Sequence, residues 1–388
     1  MAVGLLGHEV SDLCLGKPAL RSLPITATLS DAVSALKRSG ETCLSVWSCD
    51  HSYECECECE CVGKISFFDV ICFLCKDENL NRVSSLFQSP ISLVLDKDNS
   101  NVVRHVEPHS SLFEAIDFML EGTQNLVVPI ESRMSKSSKK TLAKSTSFVS
   151  TFHKGREYCW ITQEDVVRFL LNSISAFAPV ASLSIELLGI IDTDILAIPY
   201  YQPAYAAVEA ISLSNKHQTS VAIVDEQGCL IGEISPYTLA SCDETVAAAM
   251  ATLSAEDLMA YIECGGSPDE LVHLVKTRLQ EKNLVAMLNL MEELSLSFSP
   301  SSSSCSSSDD EEMSVIRHGK SASYSARMVR KSEAIVCHPR SSLVAVMIQA
   351  LAHRVSYVWV VEDDCTLTGI VTYSGMLKVF REHCRSSA

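Results

Sequence analysis

The chain has 388 residues, enough for two or more sizeable cores, and its 47% hydrophobic and 20% charged residues place most of it among globular sequences. A net charge of −17 argues against a general nucleic-acid binder and against attraction to anionic lipid, since both need a basic surface. Seventeen cysteines, an odd number, and an opening stretch that carries Glu9 and Asp12 without a basic leader favour free thiols in a reducing, cytoplasmic setting. The longest apolar neighbourhood, residues 176–191, is broken by Pro179 and Glu186, short of the roughly 20 uninterrupted apolar residues of a membrane helix.

Read in order, the chain repeats one pattern. A first unit begins near Val10. Thr28 suits a helix N-cap, Asp31 completes a capping box, and Leu29, Ala32, Val33 and Leu36 share one apolar helix face. Gly40 stops that helix and residues 44–47 read as a strand. Gly63, Ser66 and Asp69 then mark a strand that turns directly into a second helix at residues 70–74. The second unit has Ser111 and Glu114 at its cap, Leu112, Ala115, Ile116 and Met119 on the face, a strand over 126–130, and Cys159, Thr162 and Asp165 at the turn. In the third, Ala204, Ala207, Val208 and Ile211 precede a strand over 221–224, a hairpin turn at Gly228, and Gly232, Ser235 and Thr238. In the fourth, Leu343, Val346, Met347 and Ala350 precede a strand over 358–361 and then Gly369, Thr372 and Gly375. Matching spacing in four places predicts an α+β repeat protein, each unit a strand, helix, strand, strand and helix.

The units are expected at 8–78, 97–172, 183–242 and 329–384. Within unit one a Cys/Glu insert occupies residues 50–61, and at the same place in unit two lies a Lys- and Ser-rich insert, 133–156, with no acid. A helical insert follows unit three at 243–297; there Leu284, Met287, Leu288 and Met291 form a face suited to core or interface. A Ser-rich, acidic stretch at 298–328 reads as a disordered linker.

The repeated unit resembles the CBS domain, named after cystathionine β-synthase, whose units work in pairs called Bateman modules because one unit alone buries its surfaces incompletely. Four units in one chain resemble the γ-type regulatory subunits of the AMP-activated kinase family. Residues 10–18, the Cys-rich insert and residues 251–261 together resemble a plant CBS-domain-containing protein of the CBSX type. The resemblance implies two Bateman-type pairs and a non-catalytic regulatory or sensor protein. The partner implied is another protein, a kinase complex or a second copy of the chain; a ligand-free scaffold is the alternative.

In CBS domains the hydroxyl and the Asp of the strand-to-helix turn meet an adenosine ligand between paired units. Carried over, this implies that Ser66 with Asp69, and Thr162 with Asp165, contact adenosine or an adenine nucleotide. A carboxylate can accept both vicinal ribose hydroxyls, and a helix N-terminus suits phosphate. The same residues also read as plain helix caps. Unit two departs with Cys159 in place of Gly, unit three with Thr238 in the Asp position and Pro236 after the hydroxyl, and unit four with Gly375, so the C-terminal pair is expected to hold no ribose. Phe67, Phe68, Gln163 and Glu164 place no cation beside the turns, which predicts a nucleoside-like ligand rather than a triphosphate.

Cys55, Cys57, Cys59 and Cys61 place thiols on one side of an extended chain and glutamates on the other. Zinc sites space their cysteines more widely, so a solvated acidic loop is expected, with a soft ion such as Cu(I) the alternative. The basic insert reads as a solvated loop. Ser306, Ser307 and Ser308 each precede an acid by three residues and are candidate phosphorylation sites. No nucleophile–base pair, phosphate loop or His/Cys constellation is visible, so an enzyme is not expected.

Overall fold

The repeat is present four times in a computed structural model, which describes residues 7–49, 59–95, 103–130, 151–263, 269–297 and 334–386. Cys55, Cys57, the basic insert up to residue 150 and Ser306, Ser307 and Ser308 lie outside the described residues. Unit one comprises β1 (Ser22–Pro24), α1 (Leu29–Ser39), β2 (Cys43–Ser48), β3 (Glu60–Ser66) and α2 (Phe67–Leu74). Unit two has β4 (Val103–His105), α3 (Leu112–Leu120), β5 (Asn125–Ile130), β6 (Glu157–Thr162) and α4 (Gln163–Asn172). Unit three has β7 (Ala197–Pro199), α5 (Val208–His217), β8 (Val221–Val224), β9 (Leu230–Ile234) and α6 (Pro236–Ala240). The helical insert supplies α7 (Val246–Thr252), α8 (Ala255–Glu263), α9 (Asp269–Glu281) and α10 (Val285–Ser297). Unit four closes the chain with β10 (Val336–Cys337), α11 (Leu343–His353), β11 (Tyr357–Val361), β12 (Leu367–Thr372) and α12 (Tyr373–Ser386).

Local chemistry sets the element ends. Thr28 caps α1: its hydroxyl accepts the Asp31 N–H, and Asp31 accepts the Thr28 N–H at 3.0 Å. Gly40, at φ 74°, ends the helix in a left-handed conformation that costs glycine little. In every unit the first strand runs parallel to the second, which is antiparallel to the third. A parallel neighbour requires a crossover, and the first helix of each unit provides it. Register then fixes the strand-to-helix turn, because Cys43 lies opposite Ser66, Asn125 opposite Thr162 and Tyr357 opposite Thr372.

Packing joins the units in two directions. Sheet faces meet within the pairs: Leu20, Trp47, Val127 and Tyr158 cluster between units one and two, and Ala222, Tyr357, Trp359 and Ile370 between units three and four. Helices meet across the pairs. One core combines units one and three with α7 to α10, and a second combines units two and four. Met287 and Met291 are buried in the first of these, so the Met-bearing face is core. The second is reinforced by Arg381 of α12, which donates two hydrogen bonds to Asp117 of α3 at 2.7 and 2.8 Å.

Connecting segments are exchanged within each pair. Val10–Leu13, read from sequence as the opening of the first unit, bonds to unit two: the Val10 N–H donates to Ser110 O at 2.9 Å. Conversely, the segment before unit two docks on unit one, with Ile91 N–H donating to Ala27 O. Residues 183–192 do the same for unit four. Leu343 N–H donates to Leu183 O, and Asp192 and Ile370 exchange two backbone hydrogen bonds at 2.9 and 2.8 Å.

This last contact explains a glycine. A Cβ at Gly369 would stand 2.5 Å from Ile191 Cγ2 and 2.7 Å from the backbone oxygen of Asp192. The linker can lie on β12 only because position 369 has no side chain. Gly369→Ala is therefore expected to destabilise the protein by roughly 1–3 kcal/mol, read from urea unfolding; an unchanged midpoint would show that the linker does not press on β12.

Candidate ligand cavity at the strand-to-helix turns

The repeated hydroxyl is first of all a helix cap. Ser66 Oγ accepts the Asp69 N–H, Ser235 Oγ accepts the Thr238 N–H at 3.0 Å, and Thr372 Oγ1 accepts the Gly375 N–H at 3.1 Å. In unit two Thr162 and Asp165 form the same reciprocal capping box as Ser66 and Asp69, with Thr162 donating both its N–H and its hydroxyl to Asp165 Oδ2, each at 2.9 Å. The first turn of a helix has unpaired N–H groups, and these residues satisfy them.

The two carboxylates then diverge. Asp69 accepts the Ser66 N–H and hydroxyl at 2.7 and 2.6 Å, both on Oδ2, and its Oδ1 makes no hydrogen bond among the described residues. Burial pushes its carboxyl above the usual range, against the Ser66 hydrogen bonds and the nearby Lys64 charge. Asp165 is buried, and its Oδ1 is taken by Lys17 at 2.5 Å. Lys17 comes from the exchanged N-terminal segment, so this ion pair pins that segment to α4. Cys159, which replaces the usual glycine, hydrogen-bonds Cys14 of the same segment; that bond and burial push its thiol up.

Ser66, Asp69 and Thr162 line one cavity of about 260 Å3, together with Ser235 and Tyr373 from units three and four. The turns of all four units thus converge, whereas the sequence reading placed the ligand between units one and two alone. Asp165 is not among the lining residues. Two cations line the cavity that the sequence reading did not find beside the turns, Lys64 and Arg354. Lys64 also donates to Asn125 Oδ1 at 2.9 Å. Glu164, one of the non-cationic residues beside the turns, pairs with Arg168 at 2.5 Å.

Arg354 and Gln218 reach the cavity from the C-caps of α11 and α5, both at φ 55°. At this place units one and two have Gly40 and Gly122. The left-handed region is unfavourable for side chains, so residues placed there invite a functional question. A comparison of the four helix ends would have flagged both positions.

Units three and four are closed differently. Glu233 is buried and accepts hydrogen bonds from Tyr357 OH at 2.7 Å and Trp359 Nε1 at 2.6 Å. Thr372 faces a neighbouring cavity of about 280 Å3, where Asp192 and Asp194 of the linker also stand. The carboxylates missing from the unit-four motif are therefore present nearby on another segment.

The Cys/Glu insert departs from expectation. Cys59 and Cys61 are buried rather than solvated, packed with Trp47 and Tyr158 between the two sheets. The Cys61 thiol points to Gly63 O and is pushed up to about 12, mainly by burial. A His/Cys constellation also exists where none was visible in sequence: Cys49, Cys59 and His153 converge beside Trp47. The described cysteines are all free thiols. No helix among the described residues is long and apolar enough to cross a membrane.

Four sheet-and-helix units, paired through their sheets and capped by hydroxyls at one convergent cavity, define a CBS-domain protein, and residues 326–382 match the family model for the CBS domain. Over 391 residues, 98% of each chain, the sequence is 49% identical to the CBS domain-containing protein CBSX5 of Arabidopsis thaliana. The chain belongs to this family of CBS domain-containing proteins of the CBSX type, a family of regulatory proteins. It is also 20% identical over 401 residues, 99% of this chain and 97% of the relative, to an Arabidopsis thaliana protein named SNF1-related protein kinase regulatory subunit gamma-like PV42b. Among solved structures, a Methanocaldococcus jannaschii protein described as a proposed archaeal homolog of γ-AMPK superposes with a TM-score of 0.55 at 15% identity, covering 96% of this chain and 100% of that one. That likeness shows the fold.

The raised carboxyl of Asp69 gives a pH test. A carboxyl that holds its proton more tightly when folded contributes stability below the ordinary carboxylate range and loses it as pH rises through the folded value. Asn at this position does not titrate. Asp69→Asn should therefore gain stability relative to the native protein as pH rises above about 4. Urea unfolding of both proteins across the acid range measures the gap, and a gap that stays flat or shrinks contradicts the burial of this charge.

Proposed function

We propose that the protein is a non-catalytic regulator that takes an adenosine compound with at most one phosphate into the central cavity and transmits its occupancy to a partner protein. The observation that carries this reading is Asp69, which lines the cavity with one oxygen holding its own helix cap and the other without a hydrogen bond among the described residues. A carboxylate in that state can accept vicinal ribose hydroxyls without dismantling the cap. Ser66 and Thr162 stand beside it on the wall, and Asp165 acts behind the wall by fixing α4 against Lys17. Arg354 and Lys64 offer charge to a single phosphate. The volume of about 260 Å3 lies just below the roughly 300–1,000 Å3 of drug-sized pockets, which disfavours a triphosphate.

Because the wall draws on all four units, a ligand that fits one arrangement of the pairs better than another shifts the population between them. The relative named as a kinase regulatory subunit supports a kinase complex as the partner that senses this shift. The competing reading, a ligand-free scaffold, is favoured by one observation: Asp165 already has its charge partner in Lys17.

Calorimetry with adenosine, AMP, ADP, ATP and S-adenosylmethionine separates the two. Adenosine or AMP should bind, Asp69→Ala should weaken binding about tenfold or more, and Arg354→Ala should weaken AMP while leaving adenosine unchanged. Absence of heat up to about millimolar ligand, the weak end of specific binding, would establish the scaffold reading. Binding that survives Asp69→Ala intact would place the ligand elsewhere.

A further inference from the structure

The bases of the two inserts meet beside Trp47. Cys49 follows β2 and Cys59 precedes β3, so their thiols flank residues 50–58 of the first insert. His153 comes from the far end of the second insert. Its N–H donates to Arg156 O at 2.9 Å, and the Arg156 N–H returns to His153 O at 3.0 Å. Between them Lys154 and Gly155 have φ of 50° and 71°, two left-handed residues in succession, as in the tightest hairpin turns. This turn carries the imidazole inward. The ring lies flat on Trp47, with centroids 3.7 Å apart and planes inclined by 2°. One ring nitrogen, Nε2, is 2.7 Å from Ser22 Oγ, and the other, Nδ1, is 3.3 Å from Cys49 Sγ.

We propose that Cys49, Cys59 and His153 form a binding site for a thiophilic d10 cation, zinc or Cu(I). The three donor atoms lie within 4.8 Å of one another. Zinc bonds of about 2.0–2.3 Å place tetrahedral ligand atoms roughly 3.5–3.8 Å apart; Cys49 Sγ and His153 Nδ1 are already that close at 3.3 Å, and the wider separations need close by at most about an ångström. Three donors match a trigonal Cu(I) or a zinc ion that takes its fourth donor from solution. The ring is oriented by groups that are not donors: Trp47 fixes its plane and Ser22 engages Nε2, leaving Nδ1 for the ion, the outer-shell arrangement usual for histidine ligands. Two thiolates this close repel one another, and a cation between them would supply the missing positive charge. Binding releases the thiol protons to solvent. The ion would tie both flanks of the first insert to the end of the second, across the sheet contact of units one and two and apart from the central cavity.

The test is a titration of the reduced full-length protein with Co2+ as a spectroscopic probe, followed by Zn2+ and Cu(I) in competition with chromophoric chelators. One equivalent should give thiolate-to-cobalt charge transfer together with the visible bands of a low-coordinate ion. Cys49→Ser and His153→Gln should each abolish that spectrum, and Ser22→Ala should weaken affinity about tenfold or more. Cys49 is only half-buried, so its variant tests the site even where His153→Gln disturbs folding, which a thermal melt would reveal. Zinc retention against copper competition, or the reverse, names the ion. The proposal is overturned by no binding of any of the three metals, by one-equivalent binding that persists in the Cys49→Ser and His153→Gln double variant, or by peptide mass mapping that finds Cys49 and Cys59 joined as a disulfide in the isolated protein.

Discussion

Everything about the candidate site depends on how a strand becomes a helix without an intervening loop. At that turn the chain leaves a strand that is paired on one side and enters a helix whose first N–H groups have no backbone partner. Ser66, Ser235 and Thr372 resolve this by accepting an N–H three residues on, and Thr162 does so within its capping box with Asp165. The hydroxyl is therefore required by the fold in every unit, whether or not a ligand is present. A carboxylate three residues later adds a second acceptor in units one and two only. Unit three replaces it with Thr238, whose hydroxyl meets Ser235 at 2.7 Å, and unit four with Gly375, so the cap survives without it.

That separation shows which residues carry information about function. A residue that recurs because geometry demands it says little about ligands; one whose polar atom remains unspent says more. Asp69 and Asp165 have the same spacing and the same bond to their helix starts. They differ because the exchanged N-terminal segment brings Lys17 to Asp165, while among the described residues no cation forms an ion pair with Asp69. The exchange is thus more than a packing detail. It assigns one carboxylate to holding the structure together and leaves the other on the cavity wall.

The sequence made the repeat legible because both periodicities and both caps recur in register: Leu29 to Leu36 and Leu343 to Ala350 are buried faces, as read. It did not reveal that the segment around Val10 packs on the second unit, because an apolar residue states that it is buried and not by what. Arg354 and Gln218 were missed for a related reason. They lie far from the motif in sequence, and their αL conformation is not encoded by a residue type that prefers it. His153 was invisible beside the cysteines because about a hundred residues separate it from Cys49. Alternation correctly placed Cys59 and Cys61 on one side of the strand, but the charge of the insert suggested solvent where the structure has a core.

The two sheet interfaces solve one problem with different chemistry. In each pair, two sheet faces meet over bulky aromatics whose polar edges must be satisfied. Between units three and four a single carboxylate, Glu233, accepts from both Tyr357 and Trp359, and the joint closes on itself. Between units one and two, Trp47 donates to Ser45 within its own strand at 2.9 Å. Its face is then covered by the His153 ring, with sulfur groups at the margin. A buried carboxylate held by two donors is costly to disturb, since removing it strands both. The C-terminal joint is thus closed by its own groups, whereas the N-terminal joint adjoins both inserts and the strand leading to Ser66 and Asp69 and holds the site proposed for the ion.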